Sequence, residues 1–199
     1  HNEATFQFHS NQLVSPIMTS RKHVLVTGGA GFIGSHLVER LLKDGKRVVV
    51  IDDCSTGDLG NLAAVSSHPD LTVIVSKVSD CKELPALAAG AEAIYHLAAA
   101  VGVELVVKSP IYTIENNLHE TEILLEAASA SGTPTLLAST SEVYGKSQRE
   151  AFDEGDDLLI GPPHLGRWSY ACSKLMDEFL AMAHAQEKHL PVVIVRLFN

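Results

Sequence analysis

"TGGAGFIGSH" (Thr27–His36) is the stretch that decides the fold. Gly28, Gly31 and Gly34 recur there in GxxGxxG spacing. Before them runs an apolar segment, "HVLVTG" (23–28). After them comes an amphipathic one over 32–44, with Ile33, Leu37, Leu41 and Leu42 on one side. A strand that turns on glycines into a helix is the dinucleotide-binding turn. Gly28 permits the tight turn, Gly31 lets the backbone approach a pyrophosphate, and Gly34 lets helix and strand pack closely. The helix start adds free N–H groups and the positive end of its dipole. Phe32 and Ile33, inside the same turn, are candidate cofactor contacts.

The same alternation continues along the chain. "RVVVID" (47–52), "LTVIVS" (71–76), "AEAIYHLA" (91–98), "TPTLLAST" (133–140) and "LPVVIVRLF" (190–198) read as strands, and 109–131 and 168–187 as helices. Strands that are apolar throughout and separated by helices predict a parallel sheet covered on both faces. The expected fold class is therefore α/β, a Rossmann-like doubly wound sheet of about six strands. Residues 1–18 have no clear period and are expected to be a tail, with one nucleotide-binding domain over 19–199.

With 199 residues, 46% apolar and 20% charged, the composition is that of one ordinary globular domain. The net charge of −9 speaks against a duplex nucleic-acid binder, though not against a small anionic ligand held by backbone N–H groups. Cys54, Cys81 and Cys172 are far apart and show neither metal nor disulfide spacing, which predicts a reducing, cytoplasmic setting. No metal site is expected from the ten histidines, none of which stands in a ligand spacing. No apolar run approaches the roughly 20 residues of a membrane span, and no basic segment followed by an apolar core marks a secretory signal.

Two further features carry chemistry. Asp52 ends the second strand, 24 residues after Gly28. A carboxylate there accepts hydrogen bonds from the adenosine ribose and repels a 2′-phosphate, favouring NAD over NADP. Asp53, Ser55, Thr56 and Gly57 follow as candidate adenosine-side contacts. "YACSK" places Tyr170 and Lys174 at i and i+4, on one face of a helix. An ammonium beside a phenol, with an oxidised nicotinamide nearby, is expected to lower the tyrosine pKa and make Tyr170 a base. Lys174 can also hold the nicotinamide ribose. Both would face the polar strand end "STSE" (139–142) across the carboxyl edge of the sheet, where ligands of open parallel sheets bind.

TGGAGFIG (27–34), Asp52, HLAA (96–99), Asn116-Asn117, STSEVYG (139–145), YACSK (170–174) and RLFN (196–199) stand in the order and spacing of a known family. Through them the chain resembles the extended short-chain dehydrogenases/reductases, the NAD-dependent nucleotide-sugar epimerases, dehydratases and decarboxylases. The resemblance implies NAD as cofactor, with Val78, Leu97, Ala98, Ala99 and Asn117 among its contacts. Dehydratases of the family usually carry Thr-Asp-Glu where this chain has Thr140-Ser141-Glu142, and that triplet is similar to the UDP-glucuronate decarboxylases. The likeness implies Thr140 and Ser141 beside the sugar, Glu142 as a proton-transfer or orienting group, and Arg167 and Asn199 as substrate contacts. It also implies homodimers of the full-length protein through the helices at about 109–131 and 168–187.

Two positions and the domain content depart from the pattern. Lys77 replaces the acid often found after the third strand, Glu120 replaces a small residue, and the family's substrate domain would follow residue 199. The leading expectation is an enzyme that oxidises the sugar C4 hydroxyl and decarboxylates UDP-glucuronate. Its rivals are a UDP-sugar 4-epimerase, which does not need Glu142, and a nucleotide-binding fragment without turnover.

Overall fold

A computed structural model of the protein describes residues 22–100, 102 and 108–198. The expected tail over 1–18 and Asn199 lie outside the described residues. Six parallel strands form one sheet: β1 (His23–Thr27), β2 (Val48–Asp52), β3 (Leu71–Val75), β4 (Ala91–His96), β5 (Thr135–Thr140) and β6 (Val192–Leu197). Their order is β3-β2-β1-β4-β5-β6. It reverses between β1 and β4, which opens a crevice at the carboxyl edge.

β1 and β2 are buried along their whole length. Alternate side chains serve opposite faces of the sheet, as a period of two requires. Val24, Val26, Val48 and Val50 pack with Val38 and Leu42 of α1 (Phe32–Lys43) on one face. Leu25, Val49, Ile51, Ile94 and Leu137 pack on the other, against α2 (Leu84–Gly90), α3 (Pro110–Ser131) and α4 (Trp168–Lys188). Register brings Thr27 level with Ile51 and His96, and Asp52 level with Val75. Polar residues therefore end β1, β2, β4 and β5 along one rim.

The buried stripe of α1 is Gly34, Val38 and Leu42, with Leu37 and Leu41 partly buried beside it. Ile33, expected on that stripe, is instead half exposed. The close seat of Gly34 on the turn fixes the helix rotation and leaves Ile33 at the rim. Among the described residues no helix is long and apolar enough to cross a membrane, and all three cysteines are free.

Candidate active site

A cavity of about 520 Å³ opens at the carboxyl edge of the sheet. The glycine turn forms one end. Gly28 has φ +73°, and a Cβ there would lie 2.6 Å from the Ala98 nitrogen. A Cβ on Gly34 would collide with the Gly28 carbonyl oxygen and lie 2.8 Å from the Gly29 Cα. Gly31 differs: a Cβ would meet only the Gly28 oxygen, at 3.2 Å, and Gly31 lines the cavity. As N-cap of α1 it has no side chain to occupy the first-turn N–H groups, which remain open as anion donors. Phe32 and Ile33 line the same end.

Asp52 is buried and lines the cavity, and both carboxylate oxygens also accept backbone bonds. Oδ2 takes the Ala30 N–H at 2.8 Å and Oδ1 the Cys54 N–H at 2.9 Å. The Ala30 carbonyl in turn accepts from Asp58 N at 3.1 Å and Asn61 Nδ2 at 2.8 Å. Asp52 thus ties the glycine turn to β2, a duty its sequence position does not disclose. Each oxygen keeps a lone pair for a ribose hydroxyl. Asp53, Ser55, Thr56 and Gly57 line the cavity beside it.

Lys77, Val78 and Glu120 line the next wall. Glu120 reaches across from α3 to the loop after β3, accepting from Ser79 N at 3.0 Å and Ser79 Oγ at 2.6 Å. The two departures from the family pattern therefore meet here: the loop that lacks its own acid is held by one from α3. Lys77 donates to Asn116 Oδ1 at 3.5 Å and lies over the Tyr112 ring.

Leu97, Ala98 and Ala99 form the wall after β4. Asn117 does not line the cavity; it is buried behind that wall. Its Oδ1 accepts from Ala100 N at 2.6 Å, and its Nδ2 donates to Ser173 Oγ at 3.3 Å. Asn117 thus fastens the wall to α4.

His96, fully buried below, bonds Thr27 Oγ1 at 2.7 Å and Thr121 Oγ1 at 3.2 Å. Burial, helped by the charge of Lys174, lowers its pKa to about 3. The folded state therefore refuses a proton that the unfolded chain accepts near pH 6.5. A depressed pKa gives stability that is present above the unfolded value and lost as pH falls. Below pH 6.5 this group's contribution should fall by about 1.4 kcal/mol per pH unit. Denaturant titrations of wild type and His96→Gln between neutral and acid pH should show the steeper loss in wild type.

Thr140, Tyr170 and Lys174 line the remaining wall together. β5 ends at Thr140, whose Oγ1 accepts the Glu142 N–H at 3.2 Å and caps a 3-10 turn over Ser141–Tyr144. That turn carries Ser141 and Glu142 out of the cavity lining, and Glu142 is exposed. Arg167 is also exposed and outside the lining, its guanidinium 4.8 Å from the Trp168 ring centre.

The expected lowering of the Tyr170 pKa is not found. Burial first, then the charges of Glu142 and Asp177, push it up to about 12. The Lys174 ammonium donates to Asp177 Oδ2 at 2.8 Å, and both side chains are almost wholly buried. Sequence reasoning missed Asp177. It also missed Glu178, which accepts from Ser139 Oγ at 2.5 Å and from Arg196 Nη2 at 2.8 Å and so joins β5, β6 and α4 beneath the site.

The GDP-mannose 4,6 dehydratase family model matches residues 25–199. A UDP-N-acetyl-alpha-D-glucosaminuronate decarboxylase of Bacillus cytotoxicus is 39% identical over 90% of this chain and 54% of its own. Among solved structures, a UDP-N-acetylglucosamine 4-epimerase of Methanobrevibacter ruminantium superposes with a TM-score of 0.81 at 31% identity, covering 91% of this chain and 56% of its own. The dTDP-glucose 4,6-dehydratase DesIV of Streptomyces venezuelae, solved with NAD bound, gives 0.79 at 33%, covering 87% and 55%. This chain spans about half the length of each. The half they share carries the glycine turn, the carboxyl-edge cavity and the Tyr170 helix, and through it the chain belongs to the GDP-mannose 4,6 dehydratase family of extended short-chain dehydrogenases/reductases.

Proposed function

We propose that the full-length protein is an NAD-dependent decarboxylase of UDP-uronates, taking UDP-glucuronate or its 2-acetamido counterpart through a 4-keto sugar. One observation carries the reading. A single cavity joins the glycine turn and Asp52 at one end to Thr140, Tyr170 and Lys174 at the other. The chain's likeness to a decarboxylase of a UDP-uronate supports the choice of reaction.

The residues present fit NAD. The open first-turn amides of α1, beside Gly28, Gly31 and Gly34, suit the pyrophosphate. Asp52, with Asp53, Ser55, Thr56 and Gly57, suits the adenosine ribose, and Val78 the adenine. Leu97, Ala98 and Ala99 would flank the dinucleotide, and Lys174 its nicotinamide ribose. NAD held there would supply the acceptor for the C4 hydride.

Tyr170 removes the proton of the C4 hydroxyl as the hydride leaves C4, and Thr140 brackets the same oxygen. The ketone is β to the C5 carboxylate, so loss of CO2 leaves a stabilised enolate. Glu142, Ser141, Arg167 and Asn199 are assigned to the sugar side, with Glu142 returning a proton or orienting the ring. For Ser141, Glu142 and Arg167, which do not line the cavity, this requires the substrate or the rest of the full-length chain to close over them.

The exposed apolar residues Ile111 and Tyr112 of α3 and Met176, Phe179 and Met182 of α4 support a homodimer through these two helices, which pack side by side. The free thiols support a reducing, cytoplasmic setting.

A 4-epimerase is the second reading. The exposed position of Glu142 favours it, as does the epimerase likeness. Full-length protein incubated with NAD should release CO2 from a UDP-uronate and leave UDP-glucose unchanged. Conversion of UDP-glucose without CO2 release would instead establish the epimerase. Glu142→Gln should cut decarboxylation at least about 100-fold, and an unchanged rate would remove Glu142 from the chemistry. Calorimetric NAD binding with no turnover on any UDP-sugar would leave only a binding module.

A further inference from the structure

Lys174 and Asp177 lie one helical turn apart on α4, with Nζ 2.8 Å from Oδ2 and side chains 3% and 0% exposed. A buried ion pair is costly unless every remaining polar atom is satisfied. Here one is not: Asp177 Oδ1 is buried without a hydrogen-bond partner among the described residues. A carboxylate in that position is hard to justify by stability alone, because an apolar pair of similar volume would do as well. It stands directly beside the two residues assigned to proton removal and ribose binding.

We infer that Asp177 is a positioning residue, which holds the Lys174 ammonium on the cavity floor and offsets its charge, so that the Tyr170 phenol stays protonated until a ligand draws Lys174 away. The inference rests on the reading of Tyr170 as the base. The charges that reach Tyr170 agree with it, since they are those of Glu142 and Asp177. Burial keeps Asp177 itself above the usual carboxylate range despite the ammonium.

The other groups around this pair are accounted for. From β4, His96 is held neutral by burial. From α3, Thr121 is uncharged; its hydroxyl, which meets His96 Nε2 at 3.2 Å, acts only to lower the Asp177 pKa, and Glu120 is turned to Ser79. On α4 itself, Glu178 is engaged by Arg196 of β6. Beyond β5, Glu142 acts on Tyr170 from the outer side. Asp177 is thus the buried anion whose removal changes the field on both Lys174 and Tyr170.

Full-length protein labelled with 13C at the tyrosine ζ carbon reads this directly, the Tyr170 signal being assigned by its loss in Tyr170→Phe. In Asp177→Asn, which keeps the shape and an acceptor for the ammonium, the Tyr170 titration should move down by about one unit or more. Asp177→Glu should restore the wild-type position. The double variant Lys174→Met/Asp177→Met removes both charges together and should leave Tyr170 where wild type has it, which keeps the test usable if Asp177→Asn does not fold. An unmoved titration in Asp177→Asn would overturn the inference, as would a rise of about a unit in the double variant, since Lys174 would then act on the phenol in wild type. Absence of turnover on every UDP-sugar is a different failure: it removes the assignment of Tyr170 as base and leaves these titrations standing.

Discussion

Gly34→Ala should lose about 3 kcal/mol or more of stability, with Tm roughly 6–12 °C lower, and should not bind NAD. The added methyl would meet the Gly28 carbonyl oxygen and the Gly29 Cα, both backbone atoms. No rotamer relieves such a contact; α1 must move away from β1. That shift separates Val38 and Leu42 from the valines of β1 and β2, and it draws the first-turn amides off the pyrophosphate position. Gly31→Ala provides the contrast. Its nearest neighbour would be 3.2 Å away and its backbone, at φ −75°, suits alanine. It should melt within a few degrees of wild type yet bind NAD at least about tenfold more weakly, a loss of about 1.4 kcal/mol, because the methyl occupies ligand space. Thermal melts and calorimetric titration of the two variants separate packing from binding. Equal loss of stability in both would mean that Gly31 is a packing glycine as well.

The same distinction marks what could be read from the sequence. Each strand lies inside the segment expected for it, because β1 and β2 are apolar on both faces and the glycine turn allows one connection to the first helix. The residues expected at the adenosine end line one cavity, since they follow strand ends whose register the parallel sheet dictates. What was not legible depends on partners distant in the chain. Asp52 reaches Ala30 and Glu120 reaches Ser79, and neither pairing leaves a local pattern. The resemblance puts Asn117 among the cofactor contacts, but its partners Ala100 and Ser173 lie far off in the chain and leave no local pattern. Lys174 and Asp177 did stand at a readable spacing. An i,i+3 pair is ordinarily a solvated surface feature, and only burial gives this one its consequence for Tyr170. The strand-end triplet divides in the same way: Thr140 belongs to β5 and stays in the wall, while its own hydroxyl caps the turn that carries Ser141 and Glu142 outward.

Tyr170→Phe should lower the rate of NAD reduction by sugar substrate about 10²–10⁴-fold while changing NAD affinity only a few-fold. The ring is largely buried, so phenylalanine preserves its packing and removes a single oxygen. In the proposed mechanism that oxygen takes the proton of the C4 hydroxyl. Its raised pKa, about 12, leaves little of the phenolate that must accept the proton. Deprotonation then needs a compensating positive charge, and the candidates are the Lys174 ammonium and an oxidised nicotinamide. The wild-type rate should therefore rise with pH, because the group that must lose a proton has a pKa above neutrality. The residual rate of Tyr170→Phe should be flat over the same range. Pre-steady-state absorbance of the reduced cofactor, followed in full-length protein across that range, checks both. A pH-dependent rate in Tyr170→Phe equal to that of wild type would move the base elsewhere, to Glu142 or to a residue of the other half of the full-length chain.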